Sequence, residues 1–181
     1  MSDVLIGAGK ATGTGMFFVA PKGTALPTYP GETLGAGWEA VGAISEDGIS
    51  LTLPGGDVIR NWALVPERKI NTENGTVSAP ILYTNKKVLE TLFGAANVSH
   101  TAASSSHGNV DAVELAPDVS ADAAAYLFLM KDGDKLAMLG TTDALITEIS
   151  DVSFSPSEAV TWEVTIDGTW TFMVDDGQVT S

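Results

Sequence analysis

Between Val160 and Ile166 the chain reads Val-Thr-Trp-Glu-Val-Thr-Ile. That order sets Val160, Trp162, Val164 and Ile166 on one side and Thr161, Glu163 and Thr165 on the other. A period of two marks a strand with one face in a core and one in water, as antiparallel sheets have. A lone strand satisfies neither its backbone nor its apolar face, so the rest of the chain must supply partners. Short β-rich runs do so over 15–20, 38–44, 49–53, 58–65, 75–83, 124–130, 135–139, 145–154 and 169–174. Gly, Pro, Asn and Asp punctuate them. Asp132-Gly133 predicts a tight hairpin, because glycine takes a positive φ at no steric cost. Asp167-Gly168 and Asn74-Gly75 carry the same signal. The expected fold is mainly β: a β-sandwich or partial barrel of two antiparallel sheets.

One helix interrupts the pattern. Asn85 stands where a cap is needed, Gly94 where a helix ends, and Val88, Leu89, Leu92 and Phe93 form one apolar stripe between them. A single flanking α-helix is therefore expected, lying on a sheet. Lys86 and Lys87 in its first turn oppose the helix dipole. Three stretches read as connections within one domain spanning 1–181: a flexible glycine-rich N-terminal arm over 1–15, an extended loop over 20–37 with three prolines and four glycines, and a mobile polar loop over 95–109.

Charge narrows the function. The 181 residues carry 9 Lys+Arg against 23 Asp+Glu, a formal charge of −14. Residues 1–90 hold 9 acids and 7 bases, whereas 91–181 hold 14 acids and only Lys131 and Lys135. Such a chain repels nucleic acid and anionic membranes rather than gripping them. No run of about 18 apolar residues predicts a membrane anchor. With no cysteine there is neither a disulfide nor a thiolate metal site.

Nor do the motifs assemble chemistry. Gly7-Ala-Gly-Lys-Ala-Thr-Gly-Thr-Gly15 lacks the first glycine and the Ser/Thr of a phosphate loop, and a strand-like run follows it where a helix should. His100 and His107 flank Ser104, Ser105 and Ser106, but no nucleophile elbow or third orienting group accompanies them, so they read as solvated loop residues. Asp132-Gly-Asp134 and Asp175-Asp-Gly177 lack the later ligands of a calcium loop. Expected are no catalytic residue, no cofactor and no metal: not an enzyme.

The order of segments resembles the major tail tube protein of long, non-contractile-tailed bacteriophages, the siphophages. The resemblance rests on the glycine-rich start, on Ala20-Pro-Lys-Gly-Thr-Ala-Leu-Pro27, and on Gly37-Trp-Glu-Ala-Val-Gly-Ala-Ile-Ser-Glu-Asp-Gly-Ile49. Ile59-Arg-Asn-Trp-Ala-Leu-Val-Pro-Glu-Arg68 and Leu82-Tyr-Thr-Asn-Lys-Lys-Val-Leu-Glu-Thr-Leu-Phe-Gly94 extend it. Asp132-Gly-Asp-Lys135, Thr147-Glu148 and the run from Glu158 to Ile166 follow more loosely, and Tyr83 replaces an acid common in that family.

The resemblance implies hexameric rings that stack into a tube conducting DNA, made in the host cytoplasm and carried in the virion tail. It implies partners in further copies, the tape measure protein and the tail terminator and tip proteins, with DNA only as transiting cargo. The arm and the stretch near Ser50–Trp62 would touch neighbours, with Trp38, Leu53, Arg60 and Trp62 as candidate inter-subunit contacts. Acids of the second half, with Glu148, Asp151 and Glu163 as candidates, would line an acidic lumen. The alternative is a monomeric β-sandwich that binds carbohydrate or a surface through exposed tryptophan.

Overall fold

The computed structural model describes residues 16–45, 48–53, 58–59, 67–68, 74–82, 84–115, 121–132, 135–150, 152 and 160–175. The 1–15 arm, Arg60, Trp62 and Asp151 lie outside them. Strand β1 (Met16–Pro21) pairs with β2 (Glu39–Ile44) on one side. Two short pieces follow: β3 (Ser50–Thr52), and the β4–β5 pair (Val58–Ile59 and Glu67–Arg68), which forms a sheet of its own. Next come β6 (Gly75–Leu82), helix α1 (Lys86–Phe93) and the ribbon β7–β8 (Val98–Thr101 and Val110–Val113). The chain closes through β9 (Ala124–Asp132), β10 (Lys135–Ile149), β11 (Thr161–Gly168) and β12 (Thr171–Asp175).

The main sheet runs β11-β10-β9-β1-β2-β6, and β11 pairs back onto β6 along its whole length, from Thr161 opposite Leu82 to Gly168 opposite Gly75. Six antiparallel strands thereby close into a partial barrel, with β3 added beside β6 and β12 beside β10. The two expected sheets are two faces of one closed sheet. Closure removes edges that would otherwise invite foreign strands.

Alternation decides what goes inside. Trp162, Val164 and Ile166 are buried as the period of two predicts, and meet Val77, Ala79 and Ile81 from β6. Phe17 stacks on Phe128 with ring centroids 4.7 Å apart, and on Tyr126 at 5.7 Å. Burial pushes the Tyr126 hydroxyl above its ordinary pKa, so the core contributes a neutral phenol. Phe18, next in sequence, points the other way and is 3% exposed. It belongs to a second cluster with Leu127, Leu129 and Met138 on the barrel's outside, covered by Leu26, Leu34 and Trp38. The 20–37 stretch is thus an extended segment folded over β1, β9 and β10. A side chain at Gly140 would stand 2.7 Å from the Leu26 methyl, and that close approach requires glycine.

The helix forms as its caps dictate. Asn85 Oδ1 accepts from the Val88 N–H at 2.9 Å, and Gly94, at φ 84°, donates to the Glu90 carbonyl at 2.9 Å. Its apolar stripe packs on the barrel, with Phe93 edge-on to Trp162 at 5.7 Å. Burying Leu92 alone contributes about 2 kcal/mol.

Three expectations need correction. Positions 135–139 and 145–154 do not form two strands, because β10 runs unbroken through Gly140-Thr-Thr-Asp143. The register shifts there between Thr141 and Ala144, a bulge in which the Thr141 hydroxyl bonds both polar atoms of the Asp143 backbone. Asp167-Gly168 is not a hairpin turn: β11 and β12 lie end to end along β10 and do not pair with each other. Gly168 is there for contact, since a Cβ would come within 2.5 Å of the Ala144 Cβ. Gly75 opens β6 opposite Gly168 instead of turning the chain. Finally, the 95–109 stretch is not all loop. Ala95–Asn97 is a 3₁₀ turn and Val98–Thr101 is β7, held because Val98 and Val113 pack against the core beside α1. By contrast the Asp132 hairpin is present, with Lys135 opposite Asp132.

Candidate functional site

The residues that alternate away from the core in β6 and β11 form a continuous polar face. Opposite residues of antiparallel strands share a face, so the register assembles it directly. Ser50, Ser78, Thr165 and Glu148 form one row across β3, β6, β11 and β10. Thr52, Thr76, Asp167 and Leu145 form the next, and Glu163 stands opposite Pro80 in a third. Thr76 Oγ1 donates to Asp167 Oδ1 at 2.7 Å across the β6–β11 pair.

Glu148 and Glu163, two of the three acids singled out from sequence, therefore share one exposed face as diagonal neighbours. Asp167, which the sequence argument passed over as a turn residue, joins them. The period-two count that placed Glu163 outward places Asp167 there too, so the signal was present. No Lys or Arg occurs in β3, β6, β11 or the 145–149 half of β10. The ion pairs lie elsewhere among the described residues: Lys22 with Asp143 at 2.9 Å, Lys86 with Glu90 at 3.5 Å, and Lys87 with Glu39. A surface of hydroxyls and unneutralised carboxylates has nothing with which to hold a phosphate and a field that pushes it away.

The candidate contact residues fall in different places. Leu53 is 69% exposed, just beyond β3, beside Leu51 and Trp170 over Gly75. Trp38 is half-buried, its Nε1 donating to the Ala25 carbonyl at 3.2 Å, so much of its ring serves its own subunit. The other described tryptophans also face inward. Trp162 is buried and donates to Thr84 Oγ1 at 3.1 Å, and Trp170 donates to the Gly75 carbonyl at 3.0 Å. These three form no exposed aromatic platform for sugars.

The histidines are held apart from the serines. His100 does not sit in a solvated loop: it lies on β7 with Nδ1 2.6 Å from Asp111 Oδ1 on β8, an exposed pair that ties the ribbon together. His107 Nδ1 meets the Gly108 carbonyl at 2.7 Å, while Ser104 and Ser106 bond each other at 3.0 Å. No three His, Asp or Glu side chains cluster as metal ligands among the described residues. No described helix is long and apolar enough to cross a membrane.

The family model of the phage tail tube protein matches residues 8–177, nearly the whole chain. This chain belongs to the phage tail tube protein family. No curated protein matches it. Membership makes it a structural protein of the phage tail, located in the virion, that self-assembles into the tube, and it points to a non-enzymatic role.

Proposed function

We propose that the polar face of β3, β6, β11 and β10 lines the lumen of stacked, hexameric rings, and that its acids let DNA pass without sticking. The observation that carries this reading is the acid-only face: Glu148, Glu163 and Asp167 among serines and threonines, with no base in the same strands. Its curvature continues that of the barrel, so copies set side by side with this face inward enclose a channel. Phosphates in that channel meet like charge from every direction.

Ring closure draws on the same strands. Among the described residues β3 has β6 on one side only, and β12 has β10 on one side only. Such edges pair with another chain or are covered, and a head-to-tail contact that closes on itself makes a ring instead of a fibre. Leu53 is the described contact residue with most apolar surface to bury; Arg60 and Trp62 share its stretch of sequence. Trp38 adds the rim that its own subunit leaves uncovered. Asp151 follows β10 directly in sequence and extends the acidic lining. The tape measure protein, the terminator and tip proteins and transiting DNA are the partners of this assembly, which forms in the host cytoplasm.

The test replaces Glu148, Glu163 and Asp167 by lysine. Tubes should still form, and they should now retain short duplex DNA in a salt-dependent way that the parent tubes do not. Tubes with all three lysines that leave DNA unbound at low salt would contradict the electrostatic reading.

A further inference from the structure

An apolar cleft of about 360 Å³ opens between the β9–β10 hairpin with the end of β12 and the link from β2 to β3. Ile44, Ile49, Met130 and Val174 line it, and the exposed Lys131 and Lys135, the only bases of residues 91–181, stand around it. Val174 is 60% exposed, so the walls are unfilled by the described chain. The N-terminal segment is rooted at this place. Met16, the first residue of β1, stands in register with Ala43 and with Leu129, the immediate chain neighbours of Ile44 and Met130.

The composition of that segment matches the cleft. Val4-Leu5-Ile6 is the one run of three large apolar residues in 1–15, and Asp3 beside it is the only acid there. Residues 7–15, with four glycines, separate the run from Met16. A flexible tether of that length spans about 15–18 Å on average. It presents the run to its own cleft at an effective concentration on the order of millimolar, well above that of other copies in a dilute solution.

We propose that residues 3–6 dock in the cleft of their own subunit before assembly, with Val4-Leu5-Ile6 on the apolar walls and Asp3 at the lysines. The segment then covers the seam next to the free edge of β12 until another copy is held close enough to compete. This inference is independent of the lumen reading, because it concerns the isolated chain.

The absence of cysteine makes the test clean. Leu5→Cys/Val174→Cys is oxidised and read on the monomer peak of a size-exclusion column. Leu5→Cys/Ser105→Cys, which probes the exposed turn between β7 and β8, serves as comparator. The first pair should close within one chain at least about tenfold faster than the second, and Lys131→Glu/Lys135→Glu should slow it by about two- to fivefold. Equal rates for the two pairs, or disulfides only between chains, would overturn the proposal. The unsubstituted chain offers a second reading: the amides of residues 4–6 should exchange slowly in the monomer, and free exchange there would overturn it as well.

Discussion

Gly168 and Gly75 face each other where β11 and β6 begin to separate, and Ala144 lies on the other side of Gly168. With 2.5 Å available to a Cβ, Gly168→Ala forces two strands apart. Chemical denaturation should show a loss of about 1–3 kcal/mol. Thr91 presents the opposite case. It is 6% exposed on the helix, and its hydroxyl has no hydrogen-bond partner among the described residues. Thr91→Val keeps the shape and removes the unsatisfied group, so the same measurement should show a gain of about 1 kcal/mol. Glu32 accepts from the Thr28 N–H at 2.5 Å and the Thr28 hydroxyl at 3.0 Å. These bonds favour the charged carboxylate and hold its pKa below the ordinary 4.5. A depressed carboxyl pKa contributes above the unfolded value and is lost as pH falls through the folded one. A proton titration followed by NMR should therefore place Glu32 below the unfolded-state carboxylate range, and Thr28→Ala should move it back up.

At the level of elements, legibility followed the strength of the local pattern. Trp162, Val164 and Ile166 were readable because alternation is a direct image of a half-buried strand. α1 was readable because both caps use residues with a physical reason to be there. Asn85→Ala should cost about 1 kcal/mol of stability, measured by thermal unfolding, with Asn85→Asp retaining most of it. β7 and β8 were not readable. Their sequences are rich in Ser, Thr, His and Ala, and only Val98 and Val113 anchor them, through contacts with a core distant in sequence. β10 was misread as two strands for a related reason. Gly140 and the following threonines look like a turn until Leu26 is seen packing on that backbone. Both failures are cases of tertiary contact overriding local propensity.

For the whole molecule, charge asymmetry was the informative signal and register was the missing half. Sequence shows 14 acids against 2 bases in residues 91–181. It cannot show that β11 inserts between β6 and β10, which brings Glu148, Glu163 and Asp167 onto one face from elements far apart along the chain. Glu163 was readable from alternation alone. Asp167 was hidden by its resemblance to a hairpin turn. Once closed, the barrel sends its apolar side chains inward and leaves this polar face for assembly to use. Electron cryomicroscopy of assembled tubes tests the central claim most directly. The account predicts six subunits per ring with Glu148, Glu163 and Asp167 on the channel wall. A tube in which that face points outward, or is buried between rings, would contradict it.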